Sequence, residues 1–167
     1  MKKPTTIQKF IHRFFMLKPV TAFFATRTHL LDEFVLKLTG GRSTLSELLG
    51  WNIIQLVSTG AKTGNQHTSF LIGIIDGEKI AVIGSNFGRK PNPGWYYNMK
   101  KYPACEVRLN GKAGNYLARE LEGEEREAYW SMAVALYAGY EKYKQRASHR
   151  RIPVMLLEPK IIAKNRI

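Results

Sequence analysis

From residue 51 onward, apolar and polar positions alternate in short runs bounded by turn-forming residues, the pattern of strands with one buried face. The runs are 51–58 (WNIIQLVS), 68–75 (TSFLIGII), 79–85 (KIAVIGS), 105–109 (CEVRL), 112–121 (KAGNYLAREL) and 152–157 (IPVMLL). Residues 60–64 (GAKTG) turn the chain after the first run. Asp76-Gly77 and Asn110-Gly111 predict hairpins, because a type I′ turn needs positive φ at its central residues. Between the hairpins, Asn92-Pro93 reads as an N-cap and first helical residue, opening a short helix through Trp95, Tyr96 and Met99 that stops before Pro103. Residues 123–143 read as a longer helix or a helix pair. Strands and helices do not alternate as in a doubly wound sheet. The expected fold class is therefore mainly β (α+β): a compact six-stranded antiparallel barrel with peripheral helices.

The first forty residues follow a different period. Ile7, Phe10, Ile11, Phe14 and Phe15 fall on one helical face and Gln8, Lys9, His12 and Arg13 on the other, until Pro19 interrupts. Leu30, Leu31, Phe34, Val35 and Leu38 form a second stripe that should stop at Gly40-Gly41. The chain thus divides into an amphipathic helical segment, 1–42, and a barrel domain, 43–167. A basic, Phe-rich amphipathic helix can lie in a membrane interface; it can equally pack on its own domain or on a partner subunit. Charges interrupt the apolar run and no small-residue cleavage site is evident, which argues against a signal peptide. No uninterrupted apolar stretch is long enough for a transmembrane helix. The expected location is cytoplasmic, with the inner face of the cytoplasmic membrane as the surface contacted.

Composition adds a sign to this picture. Lys and Arg total 26 against 13 Asp and Glu, a formal charge of +13 that attracts anionic partners: nucleic acid, anionic lipid, or a phosphorylated or polycarboxylate ligand. The aromatics are not interleaved with the basic residues as a stacking platform would require, so no specific nucleic-acid partner is expected. Cys105 is the only cysteine, which excludes an intramolecular disulfide and a cysteine-based zinc site. The alternation in 105–109 points it inward, as a core residue rather than a nucleophile. His12, His29, His67 and His149 have no short ligand spacing, so no metal is expected.

Three segments could carry chemistry, each with a plainer reading. Residues 58–64 (STGAKTG) can present backbone N–H groups and Lys62 to a phosphate, or simply turn between strands. Residues 84–96 (GSNFGRKPNPGWY) leave a strand and enter a helix through glycines and two cations, a favourable anion site. Trp95 beside it can stack on a planar ring, or anchor the core. Tyr137, Tyr140 and Tyr143 share a helical face and can close over a flat substrate while their hydroxyls donate hydrogen bonds, or pack as core.

In order and spacing these segments resemble the deazaflavin-dependent nitroreductase and quinone-reductase family, a branch of the split β-barrel flavin and deazaflavin oxidoreductases. The likeness runs from Leu31-Asp32 and residues 38–42 (LTGGR) through 58–64, 85–88 (SNFG), 92–98 (NPGWYYN) and 135–140 (ALYAGY) to 152–153 and 157–159 (LEP). It implies a six-stranded FMN-binding-like split barrel whose groove holds the deazaflavin coenzyme F-420. Lys62, Thr63, Gly64 and His67 would hold the phosphate region, with Arg89 adding charge. Ser85 and Asn86 would lie by the ring or substrate, Trp95 would pack against the cofactor, and Tyr137, Tyr140 and Tyr143 would face the substrate. The coenzyme's phospholactyl and polyglutamate tail would give the positive charge a partner.

The implied reaction is hydride transfer to a quinone, nitroaromatic or similar conjugated acceptor, with Ser85 or a tyrosine hydroxyl stabilising developing negative charge. Where members carry Gly-Arg-Lys-Ser/Thr-Gly-x-Pro-Arg, this chain has Ala61, Gln66 and His67, which leaves FMN as the alternative cofactor. A non-catalytic split barrel carrying a lipid or other apolar ligand at the membrane is the second alternative. By analogy with FMN-type split barrels, a homodimer is expected.

Overall fold

A computed structural model describes residues 50–160. The helices expected within 1–42 lie outside these residues. Six strands close into an antiparallel barrel in the order β1-β2-β3-β6-β5-β4. They are β1 (Ile53–Thr59), β2 (Gln66–Asp76), β3 (Lys79–Ile83), β4 (Ala104–Leu109), β5 (Lys112–Glu120) and β6 (Val154–Pro159). Three helices accompany them among the described residues: α1 (Gly94–Lys101), α2 (Gly123–Leu136) and α3 (Gly139–Arg146).

The two-residue period sets which side chains fill the barrel. In β1, Ile54, Leu56 and Ser58 are buried while the residues between them are half-buried. The interior layer is Ile54, Leu56, Ile80, Val82, Cys105, Val107, Ala118, Met155 and Leu157, joined by Trp95 and Met99. These last two stand one turn apart on α1, so one face of this helix fills the barrel interior. In β3 and β6 both faces are buried. Ala81, Ile83, Val154 and Leu156 point outward into a second apolar layer built with Tyr129, Trp130, Ala133 and Leu136 of α2. That double burial explains why these two runs read as continuous hydrophobic stretches rather than clean alternation.

Antiparallel closure sorts the connections by end. The β2–β3 and β4–β5 hairpins lie at one end; the β1–β2 loop and the helix-bearing β3–β4 and β5–β6 connections leave from the other. All the segments singled out for chemistry therefore emerge from, or return to, the same end of the barrel.

Two local expectations are corrected and two are settled. The first hairpin pairs Asp76 with Lys79, so its central residues are Gly77 and Glu78 rather than Asp76-Gly77, and only Gly77 has positive φ. Asn110 and Gly111 do take positive φ together, the type I′ requirement. The N-cap of α1 is Pro93, extended at ψ 152°, and Asn92 lies before it; the Asn92 side chain is occupied elsewhere, accepting from Arg150 Nη1 at 2.6 Å. Lastly, 123–143 is a helix pair that breaks at Tyr137, whose φ of −145° is not helical. Gly139 starts the second helix beneath the Tyr137 ring: a Cβ there would fall 2.1 Å from Tyr137 Cζ.

Candidate functional site

The β1–β2 loop is fixed from α1. Asn98 Oδ1 accepts the Ala61 N–H at 2.9 Å, Asn98 Nδ2 donates to the buried Ser58 hydroxyl at 3.2 Å, and Lys101 Nζ donates to the Ala61 carbonyl at 2.7 Å. Within the loop, the Gly64 N–H donates to the Gly60 carbonyl at 2.9 Å, and the Gly60 N–H to Asn65. The His67 ring lies against Gly60, where a Cβ would come within 2.8 Å of Nε2. Lys62, Thr63, Gly64 and His67 are all exposed. The loop is rigid at its base and presents its tip to solvent.

The β3–α1 loop is held from the other side. Its core is a left-handed turn over Asn86–Gly88, with φ of 44°, 56° and 78°. For the non-glycine residues Asn86 and Phe87 that region costs about 1–2 kcal/mol each. Gly88 could carry no side chain: its Cβ would lie 2.5 Å from Arg146 Cβ and 3.2 Å from the Tyr143 carbonyl. The Arg150 guanidinium spans the turn, donating to Gly84 O at 3.3 Å, Ser85 O at 2.8 Å, Arg89 O at 3.0 Å and Asn92 Oδ1 at 2.6 Å. Burial draws its pKa below the ordinary value, and nearby Tyr97 opposes the shift. The Ser85 residue is largely buried, but its hydroxyl, which bonds no other side chain among the described residues, is not sealed from solvent and can meet a ligand.

Tyr137, Tyr140 and Tyr143 are buried and mutually packed, with ring centroids 5.5–6.2 Å apart in edge-on contacts. The Tyr137 and Tyr143 hydroxyls are 3.2 Å apart. Burial pushes all three phenols up from their ordinary value, so they remain protonated donors at neutral pH. Because the helix breaks at Tyr137, the three form a cluster rather than a strip on one face. The cluster meets the second loop: the Phe87 ring stands edge-on to Tyr143 at 5.9 Å.

The structure thus brings the turn that follows Ser85, through Phe87 and Gly88, to the tyrosine cluster, with Asn86 and Arg89 in and after that turn. Lys62, Thr63, Gly64 and His67 sit at the first loop, and α1 links the two; no hydrogen bond or ring contact among the described residues joins that loop to the tyrosines directly. Trp95 is in the barrel interior, 7% exposed, which leaves little of its indole to stack on a ligand. Cys105 is also interior, and burial pushes its thiol up to about 12, an inert thiol at neutral pH. Sequence reasoning did not single out Asn98, Lys101 or Arg150 as the residues that shape the loops. Asn98 and Lys101 carried a faint signal, two polar residues three apart on a helix whose opposite face is Trp95 and Met99. Nothing distinguished Arg150 from its basic neighbours.

Unpaired cations are concentrated on, but not confined to, the loop end. Ion pairs join Lys79 to Glu158, Lys100 to Glu120, Arg108 to Glu106, Arg119 to Glu125 and Glu158, and Arg126 to Glu127. Among the described residues Lys62, Arg89, Lys90, Lys101, Arg150 and Arg151, in or beside the two loops, have no such carboxylate partner, and neither do Lys112, Lys142, Lys144 and Lys160 elsewhere. Lys100, with Tyr96, is committed to Glu120 instead. Uncompensated cations on the two loops, with the Ser85 hydroxyl and a neutral aromatic wall at the same end of the barrel, suit a planar ligand with an acidic tail.

The closed barrel and this loop end define a split-barrel oxidoreductase of the flavin and deazaflavin class. The sequence profile of the F-420H(2)-dependent quinone reductase family matches residues 28–159, and the chain belongs to that family. It is 31% identical over 105 residues to the F-420H(2)-dependent quinone reductase of Mycobacterium tuberculosis, an alignment covering 61% of this chain and 70% of the relative. A solved F-420-H2 dependent reductase is 37% identical with a TM-score of 0.60, over 64% of this chain and 94% of its own. A second solved structure, described as a domain-swapped dimer, is 32% identical with a TM-score of 0.61, over 84% of this chain and all of its own. Family membership implies coenzyme F-420 as the cofactor. The unpaired cations and the free Ser85 hydroxyl fit that anionic coenzyme.

Proposed function

We propose that this chain reduces a quinone at the loop end of the barrel. The observation that carries the reading is the pair of loops bearing unpaired cations at the barrel end that also holds Ser85, in a chain of this family. The coenzyme, when bound, supplies a hydride; solvent supplies the proton that completes the hydroquinone. Lys62, Arg89 and Lys90, on two loops fixed at their bases, attract and hold the acidic tail. The Ser85 hydroxyl donates to the oxygen on which negative charge develops, a preorganised dipole that needs no reorganisation at the moment of transfer. The tyrosines and Phe87 supply an apolar wall that excludes water, and their raised pKa values keep them neutral.

Nitroaromatics are a second acceptor class for the same site, since a nitro oxygen offers Ser85 the same acceptor. Contact of the N-terminal segment with a membrane is supported by its Phe-rich basic pattern and by the apolar nature of quinones. A cytoplasmic location is supported by the single, buried cysteine. A homodimer is supported by the similar domain-swapped dimer, with Phe70, 63% exposed on β2, as an apolar residue available to a partner.

The test follows reoxidation of the reduced deazaflavin by a soluble quinone. Turnover should require both the enzyme and the acceptor, and Ser85→Ala should lower kcat about 10–100-fold, the usual loss of one oxyanion donor. Acceptor-independent oxidation, or activity with reduced FMN alone, overturns the reading.

A further inference from the structure

We infer that Arg150 is a positioning residue for this site: it locks the left-handed turn of the β3–α1 loop and so sets where Ser85 stands. The inference rests on the function proposed above and adds a residue that touches neither coenzyme nor substrate.

A partly buried guanidinium in a basic protein would ordinarily seek a carboxylate. Arg150 instead makes hydrogen bonds only to neutral acceptors, and they bracket the turn: Gly84 O and Ser85 O before it, Arg89 O and Asn92 Oδ1 after it. A planar fork with donors on three nitrogens suits four acceptors in two directions, and a lysine ammonium does not. The turn needs such a clamp, because Asn86 and Phe87 both hold unfavourable left-handed conformations. Local bonds assist, from the Gly88 N–H to Ser85 O at 2.9 Å and from Asn86 Nδ2 to Pro91 O at 2.9 Å, but both stay within the loop. Arg150 is the side chain that ties the loop to the α3–β6 connection, with His149 Nε2 meeting Lys90 O at 3.4 Å beside it. Because no carboxylate neutralises it, its charge also remains part of the field at the loop end.

The experiment compares wild type, Arg150→Lys, Arg150→Met and, for chemical rescue, Arg150→Ala for coenzyme binding by fluorescence, for kcat at saturating coenzyme, and for thermal stability. Arg150→Lys and Arg150→Met should both bind the coenzyme about tenfold or more weakly and lose kcat by a similar factor, the scale of losing charge-assisted hydrogen bonds. Lysine should fail to rescue, since it restores charge without the fork. Millimolar guanidinium should restore part of the kcat of Arg150→Ala, a response that a purely structural role would not give. Wild-type protein that binds while Arg150→Met binds and turns over equally well overturns this inference alone. Wild-type protein that binds no deazaflavin overturns both the inference and the function on which it rests.

Discussion

Asn98 Nδ2 donates to Ser58 Oγ across 3.2 Å while the same amide's Oδ1 accepts the Ala61 N–H at 2.9 Å, so one residue of α1 holds both the end of β1 and the loop that leaves it. Replacing Asn98 by Ala orphans the buried Ser58 hydroxyl and the Ala61 amide together. The expected loss is about 1–3 kcal/mol of stability, read by chemical denaturation, together with weaker coenzyme binding, since the tip carrying Lys62 would no longer be fixed.

Gly88 packs where α3 leaves no room. Gly88→Ala adds a methyl 2.5 Å from Arg146 Cβ at a φ of 78°, combining overpacking with a left-handed backbone. A cost of about 2–4 kcal/mol is expected from the two effects. The measurable result is a lower melting temperature accompanied by loss of activity, because the displaced segment contains Ser85.

Tyr140 separates a packing role from a chemical one. Its hydroxyl has no hydrogen-bond partner, whereas those of Tyr137 and Tyr143 meet each other. Tyr140→Phe should leave the melting temperature within about a degree, since no bond is removed. If the hydroxyl donates to the acceptor, kcat falls about tenfold with little change in coenzyme affinity. An unchanged kcat assigns Tyr140 to the wall.

Raised phenols give the fold an alkaline limit. Burial and then the Glu120 hydrogen bond push Tyr96 up to about 12 from 10.0, and burial with Asp76 does the same for Tyr129. The folded state therefore holds these protons more tightly than the unfolded chain. Their contribution is complete below about pH 10, where both states are protonated, and is lost as pH rises through the folded values. Ultraviolet titration should show the ionisation of these tyrosines coinciding with unfolding above pH 10; reversible ionisation near 10 in folded protein would contradict their burial.

How much of this could be read from the chain depends on the range of the interaction. The strand runs were legible because burial on one face imposes a two-residue period, as in Ile54, Leu56 and Ser58, and Asn110-Gly111 marked its own turn. The hairpin at Gly77-Glu78 shifted by one residue because Asp76 completes the ladder with Lys79, a matter of register rather than of turn propensity. The tyrosine strip failed for a similar reason: a regular three-residue spacing predicts a common face only if one helix continues, and Gly139 under the Tyr137 ring ends that continuity. Trp95 lay beside an anion-binding loop in sequence, but its position one turn from Met99 sent it into the barrel. The loop clamps were the least legible part. Asn98 acts 37 and 40 residues away, and Arg150 acts 58–66 residues away. Such contacts leave no periodic trace along the chain.

The most direct test of the account is an equilibrium titration of the purified protein with coenzyme F-420 and, in parallel, FMN, followed by ligand fluorescence at moderate salt. The account predicts saturable binding of the deazaflavin that weakens in Lys62→Ala and Arg89→Ala, with FMN bound far more weakly. Preference for FMN, or deazaflavin binding indifferent to both lysine and arginine replacements, would contradict it.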